Sequence, residues 1–148
     1  MNTKMKERLT QEIKKAMFAK QPGRLRALRS IKAQMDLLET TGKEVTAEMQ
    51  LATLQKMVKQ RKESAEIYKT NSREDLLQVE MEDINVIEEF LPKQLSKEEI
   101  EAEVKRIVTE VGATSIREMG KVMGLASKAL AGKADNKVVS EVVKSLLN

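Results

Sequence analysis

Apolar residues return at every third or fourth position along almost the whole chain, and no window alternates in polarity for long enough to make a strand. That period places them on one face of a helix, so the chain must fold as amphipathic helices that bury their stripes against one another. The expected class is all-α. Leu9, Ile13, Ala16 and Met17 make the first stripe, which breaks at Gln21-Pro22-Gly23, where glycine is expected to supply the turn. Leu28, Ile31, Met35 and Leu38 make the second and run out near Gly42. Thr46 is placed to cap a long third helix carrying Leu51, Leu54, Val58, Ala65 and Tyr68, its stripe interrupted at Arg61-Lys62. Asn71-Ser72 ends it, and Ser72 with Asp75 is expected to cap a fourth helix that buries Leu77, Ile84, Ile87 and Leu91.

Pro92 ends that helix, and Leu91-Pro92-Lys93-Gln94-Leu95 is the expected boundary. The predicted organisation is a helical domain of about four helices over 1–92 and a three-helix domain over 93–148. Ser96 and Glu99 form a capping box for a helix with Ile100, Val104, Ile107 and Val111, closed by Gly112. Thr114 or Ser115 is expected to cap the next helix, which carries Ile116, Met119, Met123, Ala126 and Leu130. Asp135 or Asn136 is expected to cap the last, with Val139, Val142, Val143 and Leu146. Aromatics are only 2% of the residues, so the core must be built from Leu, Ile, Val, Met and Ala.

Composition narrows function. There is no cysteine and no histidine, which removes thiolate chemistry, zinc–sulfur sites, the usual general base and the commonest metal ligand. No Gly-rich phosphate loop or nucleophile elbow is present. We therefore expect no catalytic residues, no metal and no cofactor. A carboxylate- or lysine-based enzyme would have to use residues such as Glu82, Lys121 or Asp135. No apolar run approaches the roughly 20 residues of a membrane span, and the start Met1-Asn2-Thr3-Lys4-Met5-Lys6 lacks the apolar segment of a signal peptide. The expectation is a bacterial-type cytoplasmic protein with no membrane partner.

Charge is unevenly placed. Residues 1–35 carry ten Lys/Arg against two Asp/Glu, and residues 74–110 carry four against twelve. The run Arg24, Arg26, Arg29 and Lys32 offers an anion clamp at Arg26 and Arg29, but pairing with the acidic fourth helix (Glu80, Glu82, Asp83, Glu88, Glu89) is the favoured expectation. One of Arg61 or Lys62 is expected to face inward and to need a carboxylate partner.

The most distinctive stretch is Met119-Gly120-Lys121-Val122-Met123-Gly124, followed by Gly132-Lys133-Ala134-Asp135. Glycine disfavours helix, yet two sit four apart in a helical window and make a smooth strip on one face. Isolated glycines in helices usually answer to packing, so a helix crossing is the first expectation. The alternative is close approach of a phosphate backbone, with Lys121, Lys128, Lys133, Lys137 and Lys144 neutralising its charge. With so few aromatics, base stacking and sequence-specific reading of single strands are not expected.

Four blocks together resemble the GatB/YqeY family over the whole length. They are Val58-Lys59-Gln60-Arg61-Lys62-Glu63-Ser64, Phe90-Leu91-Pro92-Lys93-Gln94-Leu95-Ser96 and the two glycine blocks. Asn136 departs from the glycine expected there. The resemblance implies a stand-alone protein whose C-terminal part is similar to the tail of the B subunit of the glutamyl/aspartyl-tRNA amidotransferase. That tail is implied to hold tRNA, while the carbon–nitrogen ligase chemistry resides elsewhere in that enzyme. Carried onto these positions, it implies a non-catalytic tRNA-associated protein using Gly120, Lys121, Gly124, Lys128, Lys133 and Lys137. The alternative is an adaptor that docks on an amidotransferase or another translation factor through the basic second and acidic fourth helices.

Overall fold

The computed structural model describes residues 3–148, and all of its regular structure is helical. The helices are α1 (Lys4–Phe18), α2 (Pro22–Glu39), α3 (Ala47–Thr70), α4 (Glu74–Glu88), α5 (Lys97–Val111), α6 (Met119–Ala129) and α7 (Asn136–Leu147), with a 3-10 turn at Ile116–Glu118 leading into α6. The chain divides into two compact units, Met1–Leu91 and Pro92–Asn148.

In the first unit α2 touches each of the other three helices, and α3 and α4 form the most extensive pair. Their stripes meet in a core of Leu9, Leu28, Ile31, Leu54, Ile84 and Ile87, joined by Phe90. Burying such side chains is worth about 1.5–3 kcal/mol each, which is what holds helices of modest intrinsic propensity together. Thr46 caps α3 as expected, accepting from the Met49 N–H at 3.1 Å.

Three local expectations change. Gly23 is not a turn residue: it lies inside the first turn of α2 with Pro22 ahead of it, and a Cβ there would run into the Glu82 carboxylate. The turn is made by Lys20, whose φ of 54° closes α1 while Gln21 N–H reaches Ala16 O at 3.0 Å. Ser72 does not cap α4. It sits at φ 56° as part of the closure of α3, with Arg73 N–H donating to Tyr68 O at 2.8 Å, and Arg73 takes the cap position. Finally, α4 stops at Glu88, so Leu91 lies beyond the helix and only half-buried, while Val86 and Phe90 join the core.

In the second unit α5, α6 and α7 pack on one another around Val104, Val122, Ala126, Val139 and Val143. The Ser96–Glu99 box is formed in both directions, at 3.1 and 3.0 Å, and Gly112 closes α5 at φ 74°. Gln94 and Leu95 are tied to the middle of the same unit. The Gln94 amide donates to Gly132 O at 2.6 Å, and Leu95 N–H donates to Lys133 O at 2.9 Å.

Candidate nucleic-acid interface

The glycine-strip helix is set up by two local devices. Upstream, the Glu118 carboxylate accepts from the backbone N–H groups of Thr114 and Ser115, which fixes the 3-10 turn feeding α6. Downstream, Gly132 is buried at φ 74°, a left-handed conformation in which a side chain would be strained. Asp135 then caps α7 by accepting from Lys137 N–H at 3.0 Å. The turn carrying Lys133 is therefore held from both sides.

α6 buries Val122 and Ala126 and half-buries Met119 and Met123. Gly120 and Gly124 point the other way. Both are exposed, and a Cβ built on either meets nothing within 4 Å. The helix-crossing expectation fails for this reason: the small residue that serves packing is Ala126, whereas the glycines line the solvent face. Lys121 and Lys128 are exposed as well. At helical spacing the four residues fall within about 100° of arc, so they form one face. Leu125, also exposed, belongs to the same face and went unnoticed in the sequence because it reads there as one more apolar residue.

Lys133 lies in the turn after α6 and Lys137 in the first turn of α7; both are exposed. Lys121, Lys128 and Lys137 have no ion-pair partner among the described residues. Lys133 helps hold the Glu103 carboxyl below its ordinary range, behind the larger effect of the hydrogen bond from Arg106. The described residues hold no cluster of three or more acidic side chains able to ligate a metal, and none of their helices is long and apolar enough to cross a membrane.

The other sequence candidates are absorbed by the fold. Arg24 grips Glu89 through two nitrogens, at 2.6 and 3.0 Å, and reaches Glu12 at 3.1 Å. Arg26 is paired to Asp83 at 3.1 Å and is not free to clamp an anion with Arg29. Lys32 bonds Asp36 on its own helix at 2.7 Å. Arg61 is the inward cation: its Nε donates to Asp83 at 3.2 Å and its Nη2 to the Ser30 hydroxyl at 3.0 Å. Asp83 is only 7% exposed and is shared between these two arginines, so α2, α3 and α4 meet at one buried carboxylate.

Compared with known proteins, the chain matches the family described as Yqey-like protein over residues 6–147. It is 28% identical over 144 residues to "Altered inheritance of mitochondria protein 41, mitochondrial" of Pyrenophora tritici-repentis, covering 95% of this chain and 79% of that protein. It is 32% identical over 108 residues to the protein of the same name from Kluyveromyces lactis, covering 70% of this chain and 58% of that one.

Proposed function

This chain belongs to the YqeY-like family, and from that premise we propose that it is a non-catalytic RNA-binding accessory protein that grips the phosphate backbone of tRNA with the exposed face of α6 and the turn that follows it. The observation that carries the reading is the outward placement of Gly120 and Gly124, with open space above both. Gly124, inside α6, costs the helix about 0.8–1 kcal/mol relative to alanine, and Gly120, in its first turn, costs less. Within the fold nothing repays that cost, whereas a backbone pressed against the helix would. Lys121, Lys128, Lys133 and Lys137 supply the charge such a backbone needs. The likeness of this unit to the amidotransferase B-subunit tail is part of the same proposal and accounts for choosing tRNA among nucleic acids.

The adaptor alternative has less to stand on, because α2 spends its charges on α4 and the residue that closes it, through Arg26–Asp83 and Arg24–Glu89. Of the three residues an enzyme would draw on, Asp135 caps a helix and Glu82 lies against Gly23 and Arg26. The relatives are named as mitochondrial proteins of fungi, set against the bacterial-type, cytoplasmic expectation. Both settings contain tRNA, so the reading does not depend on the compartment.

The test is tRNA binding by the full chain across a salt series, with duplex DNA as competitor. Four or five phosphate contacts give a slope of log affinity against log salt of roughly −4. Changing Lys121 and Lys133 together to alanine flattens that slope. Binding that ignores salt, or no binding at low salt, overturns the proposal.

A further inference from the structure

Phe18 is the most exposed large apolar residue among those described, at 88%, and its neighbour Met17 is 54% exposed. Neither belongs to the core of the first unit, although the rest of α1 does its packing there through Leu9, Ile13 and Ala16. The ring is not on a loose tail. It is the last residue of α1, and the corner behind it is closed by Lys20 N–H to Met17 O at 3.2 Å and Gln21 N–H to Ala16 O at 3.0 Å. The backbone at this corner is held, and the side chains of Phe18 and Met17 stand out from it as an apolar pair that the core of the first unit does not use.

Its surroundings are cationic. Lys14 precedes Phe18 by four residues and Lys15 by three, so both lie beside the ring one helical turn back. Lys20 follows it across the corner, and all three lysines are exposed. Lys14 and Lys20 have no ion-pair partner among the described residues. The acid closest to the ring along α1, Glu12, is already held by Arg24 at 3.1 Å and Lys15 at 3.3 Å.

We propose that Phe18 is a stacking platform for an unpaired RNA base, with Lys14, Lys15 and Lys20 holding the phosphates that flank that base. A flat ring accepts any base on its face, and the phosphates follow a sugar away, within reach of lysine side chains on the same helix end. Few aromatics in the whole chain argued against stacking, but one ring suffices for one base. A bilayer surface is the poorer match: interfacial helices lay a whole apolar face on the membrane, and the apolar face of α1 is buried in the core. This site belongs to the first unit and stands or falls separately from the α6 face.

The experiment uses the full chain and a short single-stranded RNA carrying one 2-aminopurine, whose fluorescence reports stacking. Three variants are compared with the parent: Phe18→Leu, which keeps an apolar side chain but loses the ring plane, Phe18→Trp, which keeps the plane, and Lys121→Ala with Lys133→Ala. Phe18 lies outside the core, so the first two fold, and circular dichroism checks it. The expected result is a fluorescence change on binding that weakens about tenfold with Phe18→Leu, persists with Phe18→Trp, and persists when the α6 lysines are removed. Equal binding by the Phe18→Leu variant overturns the proposal. So does retention on phosphatidylglycerol vesicles without RNA binding, which would assign the corner to lipid, and so does self-association lost with Phe18→Leu, which would assign it to a second copy.

Discussion

The two units differ in where their ion pairs fall. The first has the denser positive charge in sequence, yet Lys6, Arg24, Arg26, Lys32 and Arg61 are all engaged by carboxylates, most of them on another helix. The second has fewer cations, yet its ion pairs within 4 Å join Arg106 to Glu103 and Glu110 on one helix and leave the α6 and α7 lysines to solvent. Local charge excess is thus a poor guide to a docking surface. What matters is whether the fold has already supplied the counter-charge.

The most severe way to break this contrast is at Asp83. Replacing it with alanine takes the carboxylate from Arg61 in a partly buried setting, while Arg26 keeps Glu82 at 3.8 Å, at a cost of about 2 kcal/mol. Hydrogen exchange read by mass spectrometry should show α2, α3 and α4 losing protection while α5, α6 and α7 keep theirs. Equal loss in both units would mean that they do not respond separately.

The contrast sharpens at α6. Gly120→Ala and Gly124→Ala each have room for the added methyl; Gly124→Ala should stabilise the protein by about 1 kcal/mol in denaturant unfolding, and Gly120→Ala, in the first turn, by less. Both should weaken tRNA binding by crowding the smooth face. A gain in stability with unchanged binding would place the RNA elsewhere.

Acid produces the smallest effect. Hydrogen bonds hold several carboxyls below their ordinary range: Glu12 chiefly through Arg24, Asp36 chiefly through Lys32, and Glu103 chiefly through Arg106. A depressed folded-state pKa adds stability that is complete above the unfolded value, 4.5 for Glu and 3.8 for Asp, and is lost as pH falls through the folded value. Stability should therefore be flat from neutral pH to about 5 and decline below 4.5. The contact between α1 and α2 should loosen first, since Glu12–Arg24 spans helices whereas Glu103–Arg106 does not. Midpoints of thermal unfolding at successive pH values, paired with exchange data, would show the order.

Much of this fold is legible in the sequence because its punctuation is local. Ser96 with Glu99, Gly112 and Asp135 each act within a few residues, and each does what its type suggests. Ser72 misled because Ser and Asp three apart fit a cap equally well whether or not the preceding helix has finished with the serine. Phe90 and Val86 were missed because they enter the core near and beyond the end of α4, where strict periodicity lapses. For the candidate interface, residue types and the apolar stripe of α6 were readable, but whether the glycines meet another helix or solvent was not. Val122 with Ala126 faces the core, Gly120 with Gly124 faces away from it, and only the placement of α5 and α7 leaves the glycine face open. The ion pairs of the first unit were readable as a tendency, since one basic and one acidic helix must settle their charges somewhere. The choice of Asp83 as their meeting point depends on tertiary geometry.

The bonds from Gln94 to Gly132 and from Leu95 to Lys133 join points 38 residues apart in the chain. They bypass α5 and connect the entry of the second unit directly to its lysine-bearing turn. Tension applied to the chain at Pro92 is therefore borne first by that turn, so a pull on the linker reaches the backbone of Lys133 before it reaches α5.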